Sequence, residues 1–456
     1  MRRRAIRATA AEHGTDMTQS GGGRRVGMTA APARNRQTAA RTWDRTPWLL
    51  DPSVSFLSHG TFGACPAPVL EAQRAWRDRM EAEPIRFLDR ELETRLDEVR
   101  VEVAEFLNAD PEGIAFVPNA TTGVATVLGS LRFEPGDELL AGDHEYNATL
   151  NALREAAARD GAKVIVVPIP FPIDDPTQVV DAFIERVTAR TRLALVSHVT
   201  SPTALVFPIV PLVRELSRRG VETLVDGAHA PGMVPVDLAQ LGAAYWTGNA
   251  HKWLCAPKGV AILHVREELR PRIRPLVTSH AANTPRRDRS AFHLAFDWTG
   301  TIDPSAILSL PAAIKYVGGM HDDGWTGLMD ANADLARQGR DAICTALEIP
   351  APAPDSMLGS MAAIPLPRLA PTGPAAARLQ AALYDEDRIE VPIIAWPVAA
   401  ARDPGAGPAS ALVRISAQRY NKADEYTRLA EILARRLAEP EGHGLRSLMG
   451  RLRRAE

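Results

Sequence analysis

From about residue 95 to 265 the chain alternates short apolar runs with amphipathic stretches. The runs are IAFV (114–117), ELLAG (138–142), KVIVVPI (163–169), RLALVSHV (192–199), VETLVD (221–226) and GVAILHV (259–265). Between them lie segments of helical period such as NATLNALREAAARDG (147–161) and VPLVRELSRRG (210–220), each closed by a glycine suited to a helix C-terminus. The repeating unit is strand, helix, strand. Because the runs are continuously apolar and rich in valine, isoleucine and leucine, they predict a mainly parallel sheet covered by helices on both faces. Ligands of such sheets bind outside the carboxyl ends of the strands, so polar residues that end these runs carry the most weight.

After Pro311 the pattern changes. A helix around AAIKYVGGM and a longer one near LMDANADLARQGRDAICTALEI precede proline-rich turns between short strands, MAAIPLP and IEVPIIAWP, and a last helix follows RISAQRYNKADEYTRLAEILARRLAE. The expectation is a large domain over 69–312, a smaller α/β domain over 313–440, and a segment, 45–68, that joins the small domain through DPSVSFLSHGTFG. At 456 residues the chain exceeds what one core usually serves, which agrees with two domains. No internal repeat is evident.

The ends differ from this body. Residues 1–44 are arginine- and alanine-rich, with nine arginines by position 41 against Glu12 and Asp16, and read as a disordered tail; 441–456 read as a basic one. The first tail resembles a transit peptide, and its RRR a secretion signal, but no apolar h-region follows; Met17 or Met28 are alternative starts. The net charge of -2, from 53 basic and 55 acidic residues, favours a small-molecule partner over nucleic acid or an anionic membrane. Cys65, Cys255 and Cys344 form no zinc or disulfide pattern, which suits a reducing cytoplasm, and no run approaches the ~20 apolar residues that span a bilayer.

Chemistry gathers at the strand ends. VETLVD ends in Asp226 and runs into GAHAPG, which carries His229; alone this would also read as an Asp-Gly turn with a capping histidine. Lys252, in TGNAHKWLCAPKG, stands about one βα unit later. An acid that keeps a pyridinium nitrogen charged, and a desolvated amine that forms an imine, are what pyridoxal phosphate requires. FVPNATTG offers the start of a helix near Thr121, whose free N–H groups and the hydroxyls of Thr121 and Thr122 suit a phosphate, or an ordinary N-cap. Asn249 and His251 would close the same pocket. Tyr146 in DHEYNA could stack on a cofactor or fill the core. His198, Thr200 and Ser201 end another strand, and Ser201 could reach the cofactor's phenolic oxygen.

Taken together, NATTG, DHEYNA, SHVTSPTA, VDGAHAPG, TGNAHKWLCAPKG, WTGTID and RISAQRYN resemble the class V aminotransferase family of fold-type I pyridoxal phosphate enzymes, and most closely its isopenicillin N epimerase-like branch, over roughly residues 45 to 440. The resemblance implies a large domain with a mainly parallel seven-stranded sheet and pyridoxal 5'-phosphate as cofactor. It implies Lys252 as the imine lysine, Asp226 as partner of the pyridine nitrogen, Tyr146 as the stacked ring and Ser201 as the phenolic-oxygen contact. Thr121, Thr122, Asn249 and His251 would bind the phosphate. Thr301 would reach the phosphate of a neighbouring subunit, hence a homodimer with shared sites, and Arg414 would take the substrate α-carboxylate. The chain departs from the cysteine desulfurases of the family, since no cysteine follows Cys344, which lies in an expected helix.

The implied activity is epimerisation at Cα of an amino-acid-type substrate, with a C–S lyase or an aminotransferase as alternatives on the same scaffold. Epimerisation needs a second acid, for which His59 and Tyr146 are the candidates. A non-catalytic regulator of the same fold would need a helix-turn-helix module, and the tail is too short and too poor in apolar residues for one.

Overall fold

A computed structural model of the chain describes residues 47–397 and 409–438. The arginine-rich tail over 1–44 and the basic tail over 441–456 lie outside the described residues.

Among the described residues, twelve strands form three sheets. Their ranges are β1 (Ser55–Phe56), β2 (Ile114–Val117), β3 (Glu138–Gly142), β4 (Lys163–Val167), β5 (Thr191–Ser197), β6 (Glu222–Asp226), β7 (Tyr245–Asn249), β8 (Ala261–Val265), β9 (Met361–Pro365), β10 (Ile389–Glu390), β11 (Ile393–Trp396) and β12 (Ser410–Ser416). Seven of these make the main sheet in the order β2-β8-β7-β6-β5-β3-β4. The β3–β4, β3–β5, β5–β6 and β6–β7 pairs are parallel, and only β8 runs antiparallel to its neighbours.

Six of the seven correspond to the apolar runs; β7 does not. Its sequence, YWTGN, holds a glycine and an asparagine, both depleted in strands, yet all five residues are buried because the strand lies inside the sheet.

Alternation along the strands explains the layers. Leu140, Ala194, Val196, Val225, Trp246 and Ile262 pack into one apolar cluster, while their neighbours Leu139, Leu195, Leu224, Tyr245 and Leu263 pack into another. Both faces of the sheet are therefore covered, as the continuously apolar runs require.

The region after Pro311 has a core of its own. β9, β11 and β12 form an antiparallel sheet ordered β11-β12-β9, packed against helices Gly324–Leu347 and Ala423–Ala438. β1 pairs in parallel with β10, and Leu57 joins that core, so the segment containing LSHGTFG is anchored there and leads directly to the ends of the main strands. No helix among the described residues is long and apolar enough to cross a membrane, and no group of side chains among them could hold a metal ion.

Candidate active site

The carboxyl ends of three adjacent parallel strands lie side by side: Ser197 of β5 is in register with Asp226 of β6, and Asp226 with Thr247 of β7. Two residues beyond β7, the chain enters the turn that holds Lys252. The Ala256 N–H donates to the Ala250 carbonyl at 3.1 Å and the Cys255 N–H to the Lys252 carbonyl at 3.1 Å, so the turn is closed across its base. The Lys252 amine is 3.1 Å from His229 Nε2. Burial, and then the Arg414 charge, bring the amine down to about 7, while Asp226 opposes the shift. Near neutral pH much of this lysine is a free amine.

Asp226 is buried at the end of its strand, and its Oδ1 accepts the Ala228 N–H at 3.0 Å. Burial pushes its carboxyl upward, against the pull of Lys252. Beside it lies a residue that the sequence reading passed over. Glu145 is fully buried; Oε1 accepts the Ser197 N–H at 2.9 Å and Oε2 is 2.6 Å from Ser197 Oγ. Burial, reinforced by the charges of Asp226 and Asp143, pushes its carboxyl up to about 8 against the two Ser197 hydrogen bonds. Glu145 directly precedes Tyr146 at a strand end, the kind of position that strand-end reasoning marks as important.

At the start of helix Ala120–Ser130, Asn119 is the cap, and its Oδ1 accepts from the Thr122 N–H at 2.8 Å and from the Thr122 hydroxyl at 3.1 Å. Asn249 Oδ1 accepts the Ala120 N–H at 2.8 Å, which fastens the helix to the end of β7. Of the first-turn donors this leaves the Thr121 N–H without a capping side chain. Gly123 makes the fit possible, since a Cβ there would stand 2.2 Å from Thr247 Oγ1. Thr121 thus keeps its donors for an anion, whereas Thr122 and Asn249 hold the helix end in place. His251 is half-buried, and burial first, then Lys252, brings it to about 4.

Arg414 is buried on β12. Its Nη1 donates to the Ser201 carbonyl at 2.5 Å and to Ser201 Oγ at 3.2 Å, and its Nη2 to Thr61 Oγ1 at 3.0 Å. No ion pair found among the described residues involves it, its Nε has no partner, and burial lowers it to about 10. A buried guanidinium without a carboxylate keeps a charge that its surroundings do not neutralise. Tyr146 caps helix Asn147–Asp160, is 47% exposed, and interacts electrostatically with Arg414.

One expectation changes. His59, a candidate second acid and substrate contact, is fully buried with both ring nitrogens engaged: Nε2 donates to the Lys252 carbonyl at 3.0 Å, and Nδ1 lies 2.9 Å from the Tyr420 hydroxyl. It is a strut for the lysine turn. Ser201, expected to contact the cofactor's phenolic oxygen, accepts from Arg414, and the polar group beside the lysine amine is His229. Thr301 is exposed, and no hydrogen bond joins it to the Lys252 site of its own chain. His198 is buried with Nδ1 unpartnered.

The profile of the class-V aminotransferases matches residues 57–366. The chain belongs to that family. Among class-V relatives, an isopenicillin N epimerase of Amycolatopsis lactamdurans is 35% identical over 398 residues, covering 84% of this chain and 95% of the relative. A protein of Arabidopsis thaliana named as a probable chloroplastic L-cysteine desulfhydrase is 31% identical over 407 residues, covering 84% and 83%. Among solved structures, a mutant of the cystine C–S lyase C-DES, with glycine covalently linked to its PLP cofactor, superposes with a TM-score of 0.68 at 20% identity, over 84% of this chain and 96% of that one. The class-V fold expected from the sequence, with its seven-stranded, mostly parallel sheet, is the fold observed. Cys344 lies buried within helix Gly324–Leu347, where burial raises its thiol to about 11, an inert setting.

Proposed function

We propose that the protein is a pyridoxal-phosphate-dependent enzyme that removes the α-proton of an amino-acid-type substrate and delivers a proton to the opposite face, an epimerase-like reaction. The observation that carries this reading is Lys252: a lysine brought to about 7 in a turn between a buried acid and an unpaired arginine. The residues fit the cofactor. Thr121 offers a free helix-start donor for its phosphate, Asp226 a buried carboxylate for its ring nitrogen, and Lys252 an unprotonated amine for its aldehyde. Bound there, pyridoxal phosphate supplies an electron sink for the charge left at Cα.

The chain's own groups do the rest. Arg414, fixed by Ser201 and Thr61, takes the substrate carboxylate with the donor that it leaves unused. Lys252 takes the α-proton. Tyr146, exposed beside Arg414, supplies the proton to the other face, the role that His59 is too buried to fill. The 35% identical epimerase supports this reading. The locked His59 also supports a second one, C–S bond cleavage after the same first step, because elimination needs no second acid; relatives named as desulfhydrases agree.

The apolar side chains of Leu276, Val277 and Ile302 are 58%, 53% and 46% exposed, and the first two line a cavity of about 320 Å³ with Thr122 and Ile302. A second copy covering this surface would bring Thr301 to the partner's site, so we assign a homodimer. Three buried free cysteines suit a cytoplasmic setting.

The test is incubation of the reconstituted protein with L-amino acids and short peptides in deuterium oxide. Epimerisation gives Cα deuterium together with inverted product; elimination gives a 2-oxo acid, ammonia and sulfide; absence of both exchange and elimination would refute the reading.

A further inference from the structure

His229 stands between two groups of different kinds. On one side, the Trp253 indole Nε1 donates to His229 Nδ1 at 3.3 Å; on the other, His229 Nε2 is 3.1 Å from Lys252 Nζ. An indole N–H can only donate. His229 Nδ1 must then be an acceptor, bare of hydrogen, and the single proton of the neutral ring must sit on Nε2. With that proton aimed at Lys252, the amine accepts, which only an unprotonated lysine can do.

We propose that Trp253 is a positioning residue that fixes the Nε2–H tautomer of His229 and thereby holds Lys252 as a neutral amine. The proposal deepens the function above and rests on Lys252 being its reactive amine. It has a chemical consequence. When Lys252 takes a proton from Cα, the C–H electron pair stays on the substrate and the amine becomes an ammonium. His229 cannot accept from that ammonium, because Nε2 already carries a proton and Nδ1 is committed to Trp253. The abstracted proton is therefore retained on Lys252 and not passed to His229, while the opposite face is left to Tyr146.

Trp253 is placed to hold this role. It is fully buried among Val199, Met233, Met361 and Trp396, with its ring 4.7 Å from that of His59. Gly232, at φ +84°, lets the chain cross its backbone, where a Cβ would be 2.6 Å from the Trp253 carbonyl oxygen. The charged and titratable groups that face His229 are Lys252, Arg414, His251 and His59; burial first, and then these neighbours, keep its imidazole neutral.

The test uses the full-length protein without added cofactor. The ring nitrogens of 15N-histidine-labelled protein report the tautomer, with the His229 signals assigned by their loss in His229→Gln. Competitive acylation with mass spectrometry reports the titration of each lysine. The wild type is expected to show His229 protonated on Nε2 alone at pH 8. Trp253→Phe, which keeps an aromatic ring and loses the donor, is expected to release Nδ1 and raise the Lys252 titration by about one pH unit, a roughly tenfold fall in the ratio of amine to ammonium. Protonation of Nδ1 in the wild type would overturn the proposal without recourse to any variant. So would a Trp253→Phe protein with the tautomer and the lysine titration unchanged. If both measurements come out as expected while pyridoxal phosphate never attaches to Lys252, the functional reading fails and the tautomer assignment stands.

Discussion

Two clusters of charge built around buried arginines lie in this molecule and have opposite character. At the first, Arg100 and Arg289 face Asp97 and Asp297. Arg100 Nη2 is 2.7 Å from Asp297 and also pairs with Asp97, while Arg289 binds Asp97 at 2.8 and 2.9 Å and pairs with Asp297. The Arg100 Nε–H donates to the Ile114 carbonyl at 3.1 Å. Two cations meet two anions. Burial works against Arg289, yet its partners hold it above the ordinary guanidinium value. At the second cluster Lys252 and Arg414 share a pocket with Asp226, and the sum is unbalanced: Arg414 has no carboxylate, its Nε has no acceptor, and both cations are shifted downward. Balanced burial ties helix Leu92–Leu107 to the segment around Asp297 and leaves nothing to react. Unbalanced burial stores the demand for an anion and keeps an amine free of its proton.

Breaking each cluster should therefore cost a different quantity. Lys252→Ala should lower Cα–deuterium exchange by about a thousandfold or more, within the range of positioned proton carriers, and leave thermal unfolding of the apoprotein little changed. Asp297→Ala should do the reverse. It removes the buried carboxylate that Arg100 and Arg289 share, leaves them only the half-exposed Asp97, and should cost about 1–3 kcal/mol in denaturant unfolding, while the pH profile of any remaining folded enzyme stays the same.

Arg414→Lys keeps the charge and loses the fork. A loss of about 2 kcal/mol, roughly thirtyfold, should appear in KM more than in kcat, since the carboxylate is held alike before and during the reaction.

An effect seen in the pH dependence alone belongs to Glu145→Gln. The amide reproduces both Ser197 hydrogen bonds and mimics the neutral acid. Because the folded carboxyl is raised to about 8, the folded state keeps a proton that the unfolded state releases near its usual ~4.3. Stability lent by that proton is fully present below the unfolded value and declines by up to about 1.4 kcal/mol per pH unit towards pH 8, then levels off. The variant should lack this slope, so the two proteins' unfolding free energies, measured from pH 4 to 9, should diverge over that window and run parallel above it.

Much of the fold was legible because apolar runs that fill a two-sided layer leave a continuous trace, as in LALV and ELLAG. β7 escaped because its neighbours, not its composition, make it a strand: Gly248 and Asn249 are there for what packs against them and for what Asn249 holds. At the site, Lys252, Asp226 and Arg414, singled out by motif and strand end, come within electrostatic reach of one another. The hydrogen-bond partners of His59, Ser201 and Trp253 were not legible. Each depends on which atom a neighbour offers: a carbonyl for His59, a guanidinium for Ser201, a histidine nitrogen for Trp253. Sequence supplies donors and acceptors and leaves their pairing to the fold.

The central claim is that Lys252 is the reactive amine, and the composition helps to test it, since the chain has five lysines: Lys163, Lys252, Lys258, Lys315 and Lys422. The measurement is reconstitution with pyridoxal phosphate slightly above the Lys252 midpoint of about 7, reduction with borohydride, and peptide mapping by mass. A single pyridoxyl group on the peptide that contains Lys252, formed at one per chain, is the predicted result. Label spread over the other four lysines, or none at all, would contradict it.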